Sequence, residues 1–220
     1  MHHLDAPNPW FSTTFLQQNK DFLWSATKEH VLLVVLSVVI GLLLSLPLSV
    51  LVKGHRRLST LLLQTTGVLY TIPSLALFAL IEPVTGLTVT SALIGLTSYT
   101  LLVLVRNILA GFEGVPEEVL ESARGMGLGR WRTLMTVEIP LALPTILAGV
   151  RVATVSNVAL ATVGIVVSHG GLGQVIFQGL YANFYRAEIL TGTLLCVLLA
   201  AVAEVLLLGL ERVVTPWVRR

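Results

Sequence analysis

The sequence predicts an all-α, polytopic membrane protein with about five transmembrane helices. Three observations carry this. Of 220 residues, 55% are hydrophobic and only 12% are charged, about half the charged share of a soluble domain. The apolar residues fall into runs long enough to cross a bilayer core, which takes roughly 20 residues as a helix. The basic residues lie almost entirely between those runs and mostly in alternate connections. A single large soluble core would need a polar outer layer that so few charges cannot supply. A net charge of +2 is too small to imply nucleic acid, and the lone Cys196 excludes an internal disulfide.

Residues 1–30 lack the basic region and apolar core of a cleaved signal peptide, so they are expected to stay in place as an extracytoplasmic, interfacial segment. Trp10, Phe11, Phe15, Phe22 and Trp24 suit the membrane interface; a partly ordered tail fits them as well. The remainder, 31–215, reads as one membrane domain. Span one is 31–52, uncharged, with Gly41 and Pro47 tolerable where neighbouring helices satisfy freed backbone groups. Lys53, Arg56 and Arg57 form a basic turn, and span two, 58–81, is expected to bend at Pro73. A link through Pro83 and Gly86 leads to span three, 88–109. The polar segment 111–138 cannot cross the membrane. Span four, 139–167, is longer than needed and carries Pro140 and Pro144 near its start. The glycine-rich, aromatic stretch after it reads as a re-entrant or surface segment. Span five is 189–210, and 216–220 is a short tail.

Lys53, Arg56, Arg57, Arg106, Arg124, Arg130, Arg132, Arg212, Arg219 and Arg220 share one face, against Lys20, Lys28 and Arg186 on the other. Ten against three places the polar segment and the carboxyl terminus in the cytoplasm and the amino terminus outside. An odd number of spans agrees with this.

Within the polar segment, Pro116 suits a first helical turn, with Glu117, Glu118 and Glu121 near the positive helix end. Val119, Leu120, Ala123 and Met126 make a narrow apolar stripe. Gly125, Gly127 and Gly129 then interrupt the helix, and Trp131, Leu134 and Met135 restart an apolar face. A short amphipathic helix held between two spans can offer one face to a cytoplasmic partner, or lie on the lipid surface as an ordinary loop. Shape alone does not separate the two.

Residues 121–140, ESARGMGLGRWRTLMTVEIP, resemble the EAA motif of ABC importer permeases: a Glu-Ala-Ala triplet, three residues, glycine, nine residues, then Ile-x-Leu-Pro. Glu121, Ser122 and Ala123 occupy the triplet, Gly127 the glycine, and Val137, Ile139 and Pro140 the end. Ser for Ala, Val for Ile and Ile for Leu are departures of similar size. The stretches TIPSLALFALIEP and VSHGGLGQVIFQGL are similar to permeases of osmoprotectant importers, which carry glycine betaine, choline, carnitine and related quaternary amines.

The resemblance implies a type I ABC importer permease fold in a bacterial or archaeal cytoplasmic membrane, with a cytoplasmic coupling helix seated on a separate ATPase. It implies a second permease copy, identical or similar, and an extracytoplasmic substrate-binding protein in which most of the selectivity resides. No cofactor is expected in this chain; ATP and magnesium belong to the ATPase. Glu121, Ala123 and Gly127 become the contact core of the coupling helix, and Gly170, Gly171 and Leu172 an outer gate or docking point. Lys20, Lys28 and Lys53 follow Asn19, Thr27 and Val52, so no phosphate-binding Gly-Lys-Ser/Thr loop exists and the chain is not itself the ATPase.

Intramembrane charges are costly and mark a partner or a pathway. Arg151 and Glu204 are placed at similar depth by helix rise, which favours a structural ion pair over a gating role. Thr65, Thr66, Tyr70, Ser74, Ser98, Tyr99, Ser156 and Asn157 sit near the middle of spans. Each can face a translocation path or simply pack helices, and Tyr70 or Tyr99 suits a cation. His169, alone beside two glycines, reads as a surface-loop histidine. Rival functions are import of another small solute such as an amino acid, an intramembrane enzyme using Glu138, His169 or Arg151, and a receptor subunit that binds without transport.

Overall fold

The computed structural model describes residues 8–168 and 170–219. The expectations for His169 and Arg220, and for the first seven residues of the N-terminal segment, lie outside the described residues. In chain order the helices are α1 (Thr13–Gln18), α2 (Lys20–Val52), α3 (Arg56–Thr71), α4 (Ser74–Thr85), α5 (Val89–Glu113), α6 (Glu117–Gly125), α7 (Arg130–Thr133), α8 (Ile139–Val163), α9 (Leu172–Tyr181) and α10 (Arg186–Val214). A π-helical turn, Leu134–Glu138, joins α7 to α8. No strand occurs among the described residues.

Lys20–Val52, Val89–Glu113, Arg130–Val166 and Arg186–Val214 are each long and apolar enough to cross a membrane. The fifth span exists only if α3 and α4 are taken together as one broken span. Pro73 does more than bend it. Proline disfavours helical backbone in the residue before it, and Ile72 is extended (φ −65°, ψ 127°), as is Pro73 (φ −56°, ψ 132°). The Ile72 carbonyl released by the break accepts a hydrogen bond from the Tyr99 hydroxyl. That satisfies a backbone group which lipid could not.

One further difference concerns the start of an element. Helix α2 starts at Lys20, inside the segment expected at the interface, with Asp21 in its first turn. No Gly or Pro interrupts 20–40, so nothing stops the helix from extending past its apolar part. The glycine-rich stretch after span four forms α9, whose 10 residues are too few to cross. In α10 almost none of the apolar window is buried, the pattern of a helix whose solvent is lipid or another subunit.

The chain divides into two compact units, Met1–Ser37 with Pro73–Leu96 and Ser156–Val202, and Val38–Ile72 with Thr97–Val155 and Ala203–Arg220. The second unit is built on Val38, Leu104, Ile108, Phe112, Leu134, Ala142 and Ile146. Glycines let its helices meet closely: a Cβ on Gly149 would lie 2.5 Å from the Asn107 Cβ, and one on Gly111 would lie 3.0 Å from the Ala142 carbonyl oxygen. With no hydrophobic drive between helices in lipid, such close van der Waals packing supplies much of the association. The first unit has one cluster around Leu33, Val34, Phe78, Leu96 and Val158 and another around Leu23, Ala26, Leu172 and Val175.

Candidate functional site

The polar segment lies wholly in the second unit. Pro116 is the N-cap of α6, and Glu117 and Glu118 fill its first turn. The helix ends in a Schellman motif. The Leu128 amide donates to the Ala123 carbonyl at 3.1 Å and the Gly127 amide to the Arg124 carbonyl at 2.9 Å, with Gly127 in the left-handed region at φ +77°. That closure favours a residue without a Cβ at this spot. It explains physically why a glycine stands four residues after Ala123.

Glu121, Ser122 and Gly127 are exposed, whereas Ala123 is 1% exposed. Ala123 therefore seats α6 on its own unit and presents nothing outward. Exposed apolar side chains surround the segment instead: Met126, Trp131 and Met135, with Val119 partly so. A Cβ on Gly125, Gly127 or Gly129 would meet nothing within 4 Å. Val137, Ile139 and Pro140 are half-buried where the segment re-enters the membrane domain. The resulting surface is small-residue backbone flanked both by these apolar side chains and by the exposed Glu117, Glu118, Glu121, Arg124, Arg130 and Arg132.

The intramembrane charges form a triad. Arg151 donates from Nη2 (2.6 Å) and Nε (3.1 Å) to Glu204 Oε1 and from Nη1 (2.9 Å) to Glu211 Oε2. The third member was missed in the sequence because Glu211 stands beside the tail. Its position seven residues after Glu204, two helical turns on the same face, is the signal that marks it.

Of the pathway candidates, Tyr70 and Tyr99 are brought together, their rings edge to face at 5.6 Å between centroids. Tyr99 is buried and Tyr70 exposed. Asn157 is 1% exposed and donates to Ser37 Oγ at 2.9 Å, a contact between helices. Thr65 and Thr66 return their hydroxyls to Leu61 and Leu62 carbonyls of α3. Ser74, Ser98 and Ser156 are half-buried.

Gly170 and Gly171 precede α9 with φ +113° and +73°. The Gly171 amide donates to Glu29 Oε2 at 3.1 Å, and the Leu172 amide to His30 Nδ1 at 3.2 Å. Because Nδ1 accepts, the imidazole proton sits on Nε2, which donates to the Val158 carbonyl at 3.0 Å. Glu29 and His30 thus cap α9 from another part of the chain. Neither stood out in the sequence, since both fall in the stretch read as interfacial.

Residues 25–220 match the family of binding-protein-dependent transport system inner membrane components. The chain belongs to this family. Relatives of similar length agree. It is 37% identical over 204 residues to the carnitine transport permease protein OpuCB of Listeria monocytogenes, covering 92% of this chain and 93% of that one. It is 36% identical to the glycine betaine/carnitine/choline transport system permease protein OpuCB of Bacillus subtilis (strain 168), with the same coverage. It is also 36% identical to the osmoprotectant import permease protein OsmW of Salmonella typhimurium, covering 92% and 96%. In fold it is similar to a chain of the MetNI methionine ABC transporter in an inward-facing conformation, with TM-score 0.78 at 22% identity, covering 93% of this chain and all of that one. The protein is a permease subunit of an ABC importer, a membrane-embedded translocation component, and a separate ATPase hydrolyses ATP.

Proposed function

We propose that this permease imports glycine betaine or a related quaternary-amine osmoprotectant across the cytoplasmic membrane. The observation that carries the cargo class is the 33–37% identity over nine-tenths of the chain to permeases named for carnitine, choline, glycine betaine and osmoprotectants. Its amino terminus faces outward and its carboxyl terminus inward, as the ten-to-three division of Lys and Arg supports.

The segment 117–140 is the coupling element. The open left-handed turn at Gly127 and the exposed Glu121, Ser122, Met126 and Trp131 support its docking in a groove of an ATPase, where ATP and magnesium bind. Two permease copies, identical or similar, enclose the path, and an extracytoplasmic binding protein delivers the cargo. ATP-driven closure of two ATPases is converted into alternating exposure of the path. Tyr70, half of an aromatic pair next to the break within the broken span, suits contact with a quaternary ammonium through its ring face.

The experiment is reconstitution of the permease with its ATPase and binding protein, followed by uptake of labelled glycine betaine, choline and an amino acid. ATP-dependent uptake of a quaternary amine is expected. Uptake confined to the amino acid, or none that depends on ATP, would overturn the cargo assignment.

A further inference from the structure

Lys53 and Glu138 form an ion pair across 85 residues of sequence, with side chains 23% and 16% exposed. Lys53 follows the last turn of α2, its amide still bonded to the Ser49 carbonyl at 2.9 Å. Glu138 is the last residue of the π turn through which the coupling segment enters α8. The Lys53 ammonium also lies 4.9 Å from the centroid of the Phe112 ring, and Phe112 belongs to the core of this unit. One cation therefore gathers the end of α2, the last turns of α5 and the base of the coupling segment.

Two properties make this contact more than packing. A partly buried ion pair costs desolvation, so it adds little stability over an apolar pair, but it is satisfied in only one geometry. The π turn is the second. A π turn is a rare form that appears mostly as single turns inside α-helices and often at functional sites. Here it separates α7 from α8, so α7 does not run into α8 as an uninterrupted α-helical rod. At this joint Glu138 holds the segment to a second helix.

We propose that the Lys53–Glu138 pair is the positioning contact that passes movement of the coupling segment to α2, in parallel with the covalent route into α8. The proposal rests on the docking of segment 117–140 given above, but not on the identity of the cargo.

The test uses the full complex in lipid, in a Cys196→Ser background, with an environment-sensitive fluorophore on Glu117→Cys or on Leu51→Cys. Glu117 is exposed in the first turn of α6 and Leu51 is exposed in the last turn of α2. On adding ATP, both labels respond in the otherwise unaltered complex. In Lys53→Met the Glu117 response persists while the Leu51 response falls about tenfold, in line with the large effect of removing one partner of a buried pair. The reversed pair Lys53→Glu with Glu138→Lys restores it, and Glu138→Gln, which keeps shape, gives a smaller loss. An undiminished Leu51 response in Lys53→Met would overturn the proposal. So would loss at both positions that the reversed pair does not restore, because that assigns the contact to folding alone. Absence of any Glu117 response in the unaltered complex would instead remove the docking assignment on which the proposal stands.

Discussion

Two glycine turns of this protein use the same backbone device to opposite ends. Gly127 closes α6 and Gly170–Gly171 open α9, all with φ in the left-handed region. Around Gly127 an added Cβ would meet nothing within 4 Å. At Gly170 it would strike the Glu29 carboxylate, and at Gly171 it would lie 3.3 Å from His30 Nδ1. The second turn is already filled by side chains of its own unit, while the first is left empty on the surface. Positive φ accounts for a glycine at both turns; the space beyond it is filled at one and open at the other.

Substitutions can break that contrast. The largest effect is expected from Gly127→Leu, which adds a bulky side chain at the centre of the proposed docking patch and strains the turn. We expect loss of about 2 kcal/mol or more of ATPase binding, the scale of an interface hot spot, measured by co-purification and ATPase titration. Gly127→Asn sharpens the reading, because asparagine tolerates the left-handed region. If Asn binds the ATPase as well as Gly, the glycine serves only the turn. At the filled turn, His30→Ala removes the acceptor for Leu172 and the donor to Val158 and leaves a void. A loss of about 2–4 kcal/mol of stability is expected, read as a lower unfolding temperature in detergent, with ATPase docking intact.

Arg151 has two acceptors, so Glu204→Gln and Glu211→Gln should each cost about 1–2 kcal/mol and the double substitution more than their sum. Equal stability of the double substitution and the unaltered protein in thermal unfolding would remove the triad from the structural account. The smallest effect belongs to Glu117→Ala. Its pair with Arg124 at 3.0 Å is well exposed on both sides, and exposed pairs contribute about 0–1 kcal/mol. ATP-dependent uptake should be unchanged.

The spans and the polar segment were legible because hydropathy and glycine spacing are local signals. What escaped depends on contacts distant in sequence. Pro47, Pro83 and Pro144 lie inside helices while Pro73 ends one. The motif residue Ala123 was read as a contact and is buried, since a small residue signals close approach without saying to which side. Glu29 and His30 gave no pattern, their partners being backbone amides more than a hundred residues away. The π turn has no sequence signature at all. Tyr70 and Tyr99 were each visible as aromatic, but only the fold pairs them.

The central claim is that the patch around Gly127 is the ATPase docking site. Cross-linking in the assembled complex tests it most directly, with single cysteines introduced in a Cys196→Ser background at Ser122 on α6 and at the exposed Tyr181 ending α9. A short bifunctional maleimide should join the Ser122→Cys permease to the ATPase subunit and leave Tyr181→Cys unjoined to it. Cross-linking of the ATPase through Tyr181 and none through Ser122 would contradict the account.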